Sequence, residues 1–200
     1  KAQFELGKES VLSVLYSRAT QDTYKILSER AKYLIQKYNF APEELFMVLQ
    51  GYTFKDFQEK APQYLKRLHI NVLFTGNLRE EEARKYAQEI EDTFDHVEVK
   101  TQDIPEDSAV NITGNNLVWR EVNKVPNALE DAILNIYQYG PLTKEGFAYL
   151  KLVEYLMSNE AYTYLRTEKN LGYIAFLYSD VISNVLSLNI LVQGSTLDCV

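Results

Sequence analysis

Leu165-Arg166-Thr167-Glu168-Lys169-Asn170-Leu171-Gly172-Tyr173, followed at once by Ile174-Ala175-Phe176-Leu177-Tyr178, is the stretch on which the reading of this chain turns. A helical pattern capped at Thr143 and carried by Phe147, Leu150, Leu152, Val153, Leu156 and Met157 runs out at about Leu165. Gly172 then permits a sharp reversal or a close backbone approach, and the apolar run after it reads as a strand. The result is a helix-to-strand junction with a guanidinium and a phenol seven residues apart. Arg166 offers several fixed donors to peptide carbonyls or a carboxylate, and Tyr173 offers one hydroxyl. Neither is a nucleophile with a general base beside it, so on residue chemistry alone the pair reads first as structural anchors.

Working outward, Asp131–Tyr139 reads as a strand ended by Gly140-Pro141, and further strands are expected at 172–179 and 185–192. Towards the N-terminus, Val11, Leu15, Ile26, Leu27, Leu34 and Ile35 recur at helical spacing over residues 8–38. Thr20-Gln21-Asp22 breaks that run, with Thr20 or Asp22 capping the second helix. Pro42 opens a shorter helix that Gly51 stops, with Glu43 and Glu44 in its first turn and Leu45, Val48 and Leu49 facing inward. Thr53 and Asp56 have the spacing of a capping box ahead of a stripe of Phe54, Phe57, Ala61, Tyr64, Leu65 and Leu68, interrupted by Pro62. His69–Asn77 reads as strand and turn, and residues 79–93 as a charged helix laying Ala83, Tyr86, Ala87 and Ile90 on a sheet. Pro105, Gly114 and Pro126 punctuate a connector over 95–127 with short strands expected at 96–100 and 117–122. Helix-then-strand order on both sides of it gives an α+β class of mixed helix–sheet layers.

Composition narrows the functional classes. Two hundred residues, 46% hydrophobic, form one large domain or two small ones around a substantial core. A net charge of −7 without a Lys/Arg cluster argues against nucleic acid as partner. No apolar run approaches the roughly 18 residues of a membrane span. Cys199 is the only cysteine, which excludes an intrachain disulfide and makes a reducing, cytoplasmic compartment the expectation.

Local catalytic chemistry is sparse. His69 and His96 are the only histidines and do not form a helical zinc pair, so no metal is expected in this chain. Cys199 lacks a redox partner or a thiolate-stabilising neighbourhood. Glu80-Glu81-Glu82 reads as acid at a helix start rather than paired acid–base machinery. Tyr137, Tyr139, Phe147, Tyr149 and Tyr155 fit packing positions before a stacking platform.

The Leu165–Tyr173 segment closely resembles the Leu-Arg-Thr-x-x-x-Leu-Gly-Tyr segment in the C-terminal half of the insulysin/pitrilysin family of zinc metallopeptidases. Leu65–Asn77 likewise resembles the approach to that family's Leu-His-Ile strand and Gly-Asn turn. The resemblance implies a truncated pitrilysin-type fold, with 1–108 the end of the third family domain and 109–200 the connector and first part of the fourth. It implies that Arg166 contacts substrate backbone and that Tyr173 supports the scissile carbonyl or its oxyanion. The family's zinc site, an inverted His-x-x-Glu-His motif with a distant glutamate, belongs to the N-terminal half and is absent from this sequence. Zinc is therefore expected in a complete parent enzyme, with this chain its non-zinc-binding, substrate-positioning part. The implied partners are a peptide substrate and an N-terminal catalytic half from the same parent chain or another subunit. The competing expectation is a noncatalytic peptide-binding or interaction module of a heteromeric peptidase or a pseudoenzyme.

Overall fold

The computed structural model describes the chain except residues 95, 113, 115, 124–127, 196 and 198–200, so Pro126 and Cys199 lie outside the described residues. Two compact units emerge, Lys1–Lys8 with Gly51–Glu106, and Glu9–Gln50 with Asp107–Val200. The helices of residues 9–50 group with the strands that follow residue 130, the helix over residues 23–35 packing against the sheet.

In the first unit, Phe4 packs its ring on Phe54 at 5.6 Å and Phe57 at 5.3 Å, and the Lys8 ammonium donates to the Tyr52 carbonyl at 2.8 Å. Helix α4 (Phe54–Leu65) begins with the expected capping box. The Asp56 N–H donates to Thr53 Oγ1 at 3.2 Å and the Thr53 N–H to Asp56 Oδ2 at 2.8 Å, satisfying two first-turn donors reciprocally. Those Thr53 donors hold the Asp56 carboxyl below its usual range. Helix α5 (Glu80–Thr93) follows the Gly76 turn, where φ is 119°, with Glu80, Glu81 and Glu82 in its first turn.

The strand expected over His69–Asn77 is displaced and short. The ladder consists of β1 (Arg67–Leu68) running parallel to β2 (Val97–Glu98), and 69–75 carries no regular structure. With a two-residue partner there is nothing for a longer strand to pair with. The strand expected at 117–122 is likewise absent: Leu117, Val118, Trp119 and Val122 are exposed. That segment is tied down by side chains instead, through Glu121 on Arg30 at 3.2 Å and Asn123 on Thr23 at 2.8 Å.

The second unit contains α1's main length (α1, Ala2–Ala19), α2 (Thr23–Ile35), α3 (Pro42–Gly51), and a three-stranded antiparallel sheet in the order β3 (Asp131–Pro141), β5 (Val185–Gly194), β4 (Ile174–Ile182). Helix α6 (Lys144–Tyr162) connects β3 to β4, and its Thr143 cap accepts from the Gly146 N–H at 3.0 Å as the sequence suggests. Residues of β4 and β5 alternate between the faces. Ala175, Leu177, Leu186 and Val192 are buried on the face where Ser179 meets Glu154 of α6. Leu191, Asn189, Ser187 and Gln193 are buried on the face covered by α2. Hairpin β4–β5 turns on Ser183 and Asn184, both with positive φ (49° and 61°), the backbone of a two-residue primed turn.

Several apolar stripes point elsewhere than expected. In α3, Leu45 and Val48 are exposed because the helix is fastened by its first turn, where Pro42 is buried and Glu43 pairs with Arg30. In α6 only Leu150 and Gly146 are buried, while Leu152, Leu156 and Met157 face outward. Val11 and Leu34 are also exposed, leaving Leu15 and Ile35 as the buried members of the first two helices. Asp22 stands at the N-cap of α2 without a side-chain cap bond, and Thr20 turns back to the Tyr16 and Ser17 carbonyls. Among the aromatics assigned to packing, Tyr137, Tyr139, Phe147, Tyr149 and Tyr155 are all exposed, with Tyr139 stacked on Tyr149 at 6.2 Å.

Candidate functional site

Arg166 and Tyr173 flank a junction more elaborate than a helix end. Helix α6 does not stop at Tyr162 but widens into a π-helical segment, Thr163–Glu168, in which the Lys169 N–H reaches the Tyr164 carbonyl at 2.9 Å. Wide turns of this kind are rare and collect at functional sites. Asn170 then adopts φ 51° and the Leu171 N–H donates to the Leu165 carbonyl at 3.1 Å, closing the helix. The reversal is thus made by Asn170, a residue type that tolerates this conformation.

Gly172 meets the second requirement, a close approach. A Cβ there would lie 1.9 Å from the Gln193 carbonyl oxygen and 2.8 Å from Gly194 Cα. Reciprocally, a Cβ on Gly194 would lie 2.1 Å from the Leu171 oxygen. The two glycines let the chain entering β4 cross directly against the end of β5, which sets Tyr173 beside Gln193.

The Tyr173 hydroxyl donates to Glu130 Oε2 and accepts from Gln193 Nε2, each at 3.4 Å. Gln193 Nε2 also donates to Glu130 Oε2 at 2.6 Å, and its Oε1 accepts the Tyr24 N–H in the first turn of α2 at 2.7 Å. Loss of water around the phenol, then the facing Glu130 carboxylate, raise the Tyr173 pKa. The group therefore stays a protonated donor across the neutral range, while 56% of the residue remains exposed to solvent.

Arg166 is also exposed, its guanidinium 5.1 Å from the centre of the Tyr162 ring. That distance is within cation–π range of the ring, and the guanidinium carries five N–H donors. Among the described residues Arg166 and Tyr173 share no partner: one rests on α6, the other on the ends of β3 and β5.

Sequence reading did not single out Glu130 or Gln193. The available signal was the alternation Ser187, Asn189, Leu191, Gln193 on one face of an otherwise apolar strand, since three polar residues in four on a covered face must each find a partner. Glu130 lay between the connector read over 95–127 and the strand expected from Asp131, in neither.

The histidines are turned to backbone. His69 Nδ1 lies 2.9 Å from the Val99 carbonyl oxygen and His96 Nδ1 2.8 Å from that of Phe94. Among the described residues no group of three His, Cys, Asp or Glu converges as metal ligands would. The described side chains do not assemble a zinc-binding set.

Residues 51–199 match a protein family described as the Peptidase M16 inactive domain. The insulin-degrading enzyme of Mus musculus is 25% identical over 199 residues, covering 97% of this chain and 19% of that protein. The insulin-degrading enzyme of Homo sapiens is 24% identical over 197 residues, covering 96% of this chain and 19% of its own length. The crystal structure of pitrilysin superposes with a TM-score of 0.70 at 17% identity, covering 98% of this chain and 21% of that one. The chain thus spans about a fifth of the length of these relatives. At that identity the pitrilysin likeness establishes fold, and the fold is the mixed α+β arrangement expected. With most of its length matched, the chain belongs to the M16 peptidase family and carries that family's inactive domain.

Proposed function

We propose that this chain is the substrate-positioning part of a zinc metalloendopeptidase, with Arg166 and Tyr173 the groups that meet the peptide. The observation that carries the reading is the Gly172–Gly194 crossing, which fixes the backbone of Tyr173 while leaving its phenol exposed and protonated. A hydroxyl held in that way donates to a peptide carbonyl oxygen and donates more strongly as charge develops on it. Arg166, exposed beside the Tyr162 ring, binds neighbouring carbonyls through its guanidinium donors and limits the peptide's rotation. In a parent enzyme, an N-terminal catalytic half, belonging to the same chain or to another subunit, would hold the zinc ion, which would supply the activation of water. Residues 1–108 then form the end of the third family domain and 109–200 the connector with the first part of the fourth. The setting is cytoplasmic, in keeping with the lone cysteine; no helix among the described residues is long and apolar enough to cross a membrane.

The test is Tyr173→Phe in the full-length protein that carries this chain. Loss of one aligned oxyanion donor lowers kcat by about a hundredfold, roughly 3 kcal/mol, with bound zinc unchanged. Unchanged catalytic efficiency in a folded, zinc-loaded variant refutes the direct role. The second reading, a noncatalytic peptide-binding module of a heteromeric peptidase or a pseudoenzyme, is favoured by the match to an inactive domain. Peptide affinity that falls in Arg166→Ala and Tyr173→Phe, in a full-length protein that binds no zinc, selects it.

A further inference from the structure

The start of β3, the start of β4 and the end of β5 meet the first turn of α2 at one end of the sheet, and the hydrogen bonds gathered there finish on Tyr173. Gln193 is their hub. It is only 2% exposed, and both ends of its amide are committed. The Tyr24 main-chain N–H can only donate, so the group facing it at 2.7 Å is the amide oxygen and the NH₂ faces Glu130 at 2.6 Å. This contact takes the place of the cap that Asp22 does not provide: a residue 169 positions away satisfies a donor at the start of α2.

The bond lengths rank the contacts. The amide–carboxylate bond is short and charge-assisted, whereas the phenol reaches the same carboxylate oxygen at 3.4 Å. Gln193, not Tyr173, therefore holds Glu130 in place. The phenol has one proton, so it cannot serve Glu130 and a peptide carbonyl at full strength together, and a long bond is cheap to give up. Asp22 is the other charge acting on the phenol, and it is itself paired with Lys25 at 2.9 Å.

We propose that Gln193 and Glu130 are positioning residues for Tyr173: Gln193, fixed by the first turn of α2, holds the Glu130 carboxylate as a resting acceptor for the phenolic hydroxyl, and the peptide carbonyl takes over that hydrogen bond on binding. This rests on the reading that Tyr173 contacts substrate. The hydroxyl is aimed before the peptide arrives, and docking of α2 on the sheet becomes a condition for that aim.

Two measurements on the full-length protein test it. In the first, 3-fluorotyrosine placed at position 173 is titrated by fluorine NMR in the parent and in Glu130→Gln. The variant's titration moves to lower pH, because the carboxylate that opposes phenolate formation is gone. In the second, peptide cleavage is measured in Gln193→Glu, which keeps the acceptor for Tyr24 but faces Glu130 with a like charge. It lowers kcat/KM about tenfold, and Glu130→Gln in the same protein, which restores a donor–acceptor pair, recovers activity to within about threefold. In a Tyr173→Phe background Gln193→Glu costs nothing further. An unmoved Tyr173 titration, or an equal loss from Gln193→Glu with and without the phenol, overturns the proposal. If Tyr173→Phe itself leaves cleavage intact, the substrate reading fails and this one with it. If Tyr173→Phe impairs cleavage and Gln193→Glu does not, the positioning role alone fails.

Discussion

Gly172→Ala gives the most direct test of how the junction is built. The added Cβ would sit 1.9 Å from the Gln193 oxygen, 2.6 Å from its carbonyl carbon and 2.8 Å from Gly194 Cα. All three are backbone atoms of β5, so no side-chain rotation relieves the clash, and the β4 entry must move away from the end of β5. Overpacking in a close-packed interior costs about 1–3 kcal/mol, and a backbone-on-backbone clash belongs at or above the upper end. At about 2–4 °C per kcal/mol for a chain of this size, the melting temperature falls by roughly 6–12 °C. Gly194→Ala meets Leu171 O at 2.1 Å and Gly172 Cα at 2.7 Å, so it attacks the same crossing from the other strand. The double variant therefore loses less than the sum of the two. Gly7→Ala is the control: it lies in α1 with no atom within 4 Å of its added Cβ, and it stabilises by about 0.5–1 kcal/mol through helix propensity. Thermal unfolding by circular dichroism reads all four variants. A Gly172→Ala protein that melts within about 1 °C of the parent shows that the crossing is not held shut.

Further expectations concern the sheet and its turn. Burial works against ionisation of Glu154, but the Lys151 ammonium and the Ser179 hydroxyl and N–H, at 2.9, 2.5 and 3.1 Å, outweigh it and hold the carboxyl below its usual range. The tie between α6 and β4 is therefore complete above the unfolded-state pKa and lost as pH falls through the lower folded value. Glu154→Gln should cost about 1–2 kcal/mol near neutrality, with a smaller penalty in acid, read by urea unfolding across pH. At the hairpin, Asn184→Val forces a β-branched residue to φ 61° and should destabilise by more than about 1 kcal/mol. Asn184→Gly should instead stabilise slightly, since the backbone of Asn184 already accepts from the Leu142 N–H at 2.8 Å and loses nothing.

Local chemistry made much of the architecture legible in the sequence. The Thr53–Asp56 cap, the Thr143 cap, the stop after Gly51 and the three strands of the second unit each depend on neighbours within a few residues, and each stands where it was expected. So did the helix-to-strand junction with Arg166 and Tyr173 on either side of Gly172. Periodicity misled where burial depends on what another element covers: Val48, Leu156 and Met157 belong to convincing stripes yet face outward. It misled again at 69–77 and 117–122, because a strand exists only if a second strand pairs with it.

Tertiary structure alone decided how the junction works. Gly172 could have served a reversal or a close approach; the reversal went to Asn170, and the approach became visible only with Gly194 packed against it. Gln193 reaches Tyr24 across 169 positions of sequence and Glu130 across 63. A sequence states which side chains can donate and accept, because that is covalent chemistry; which donor meets which acceptor is settled when strands and helices close over them.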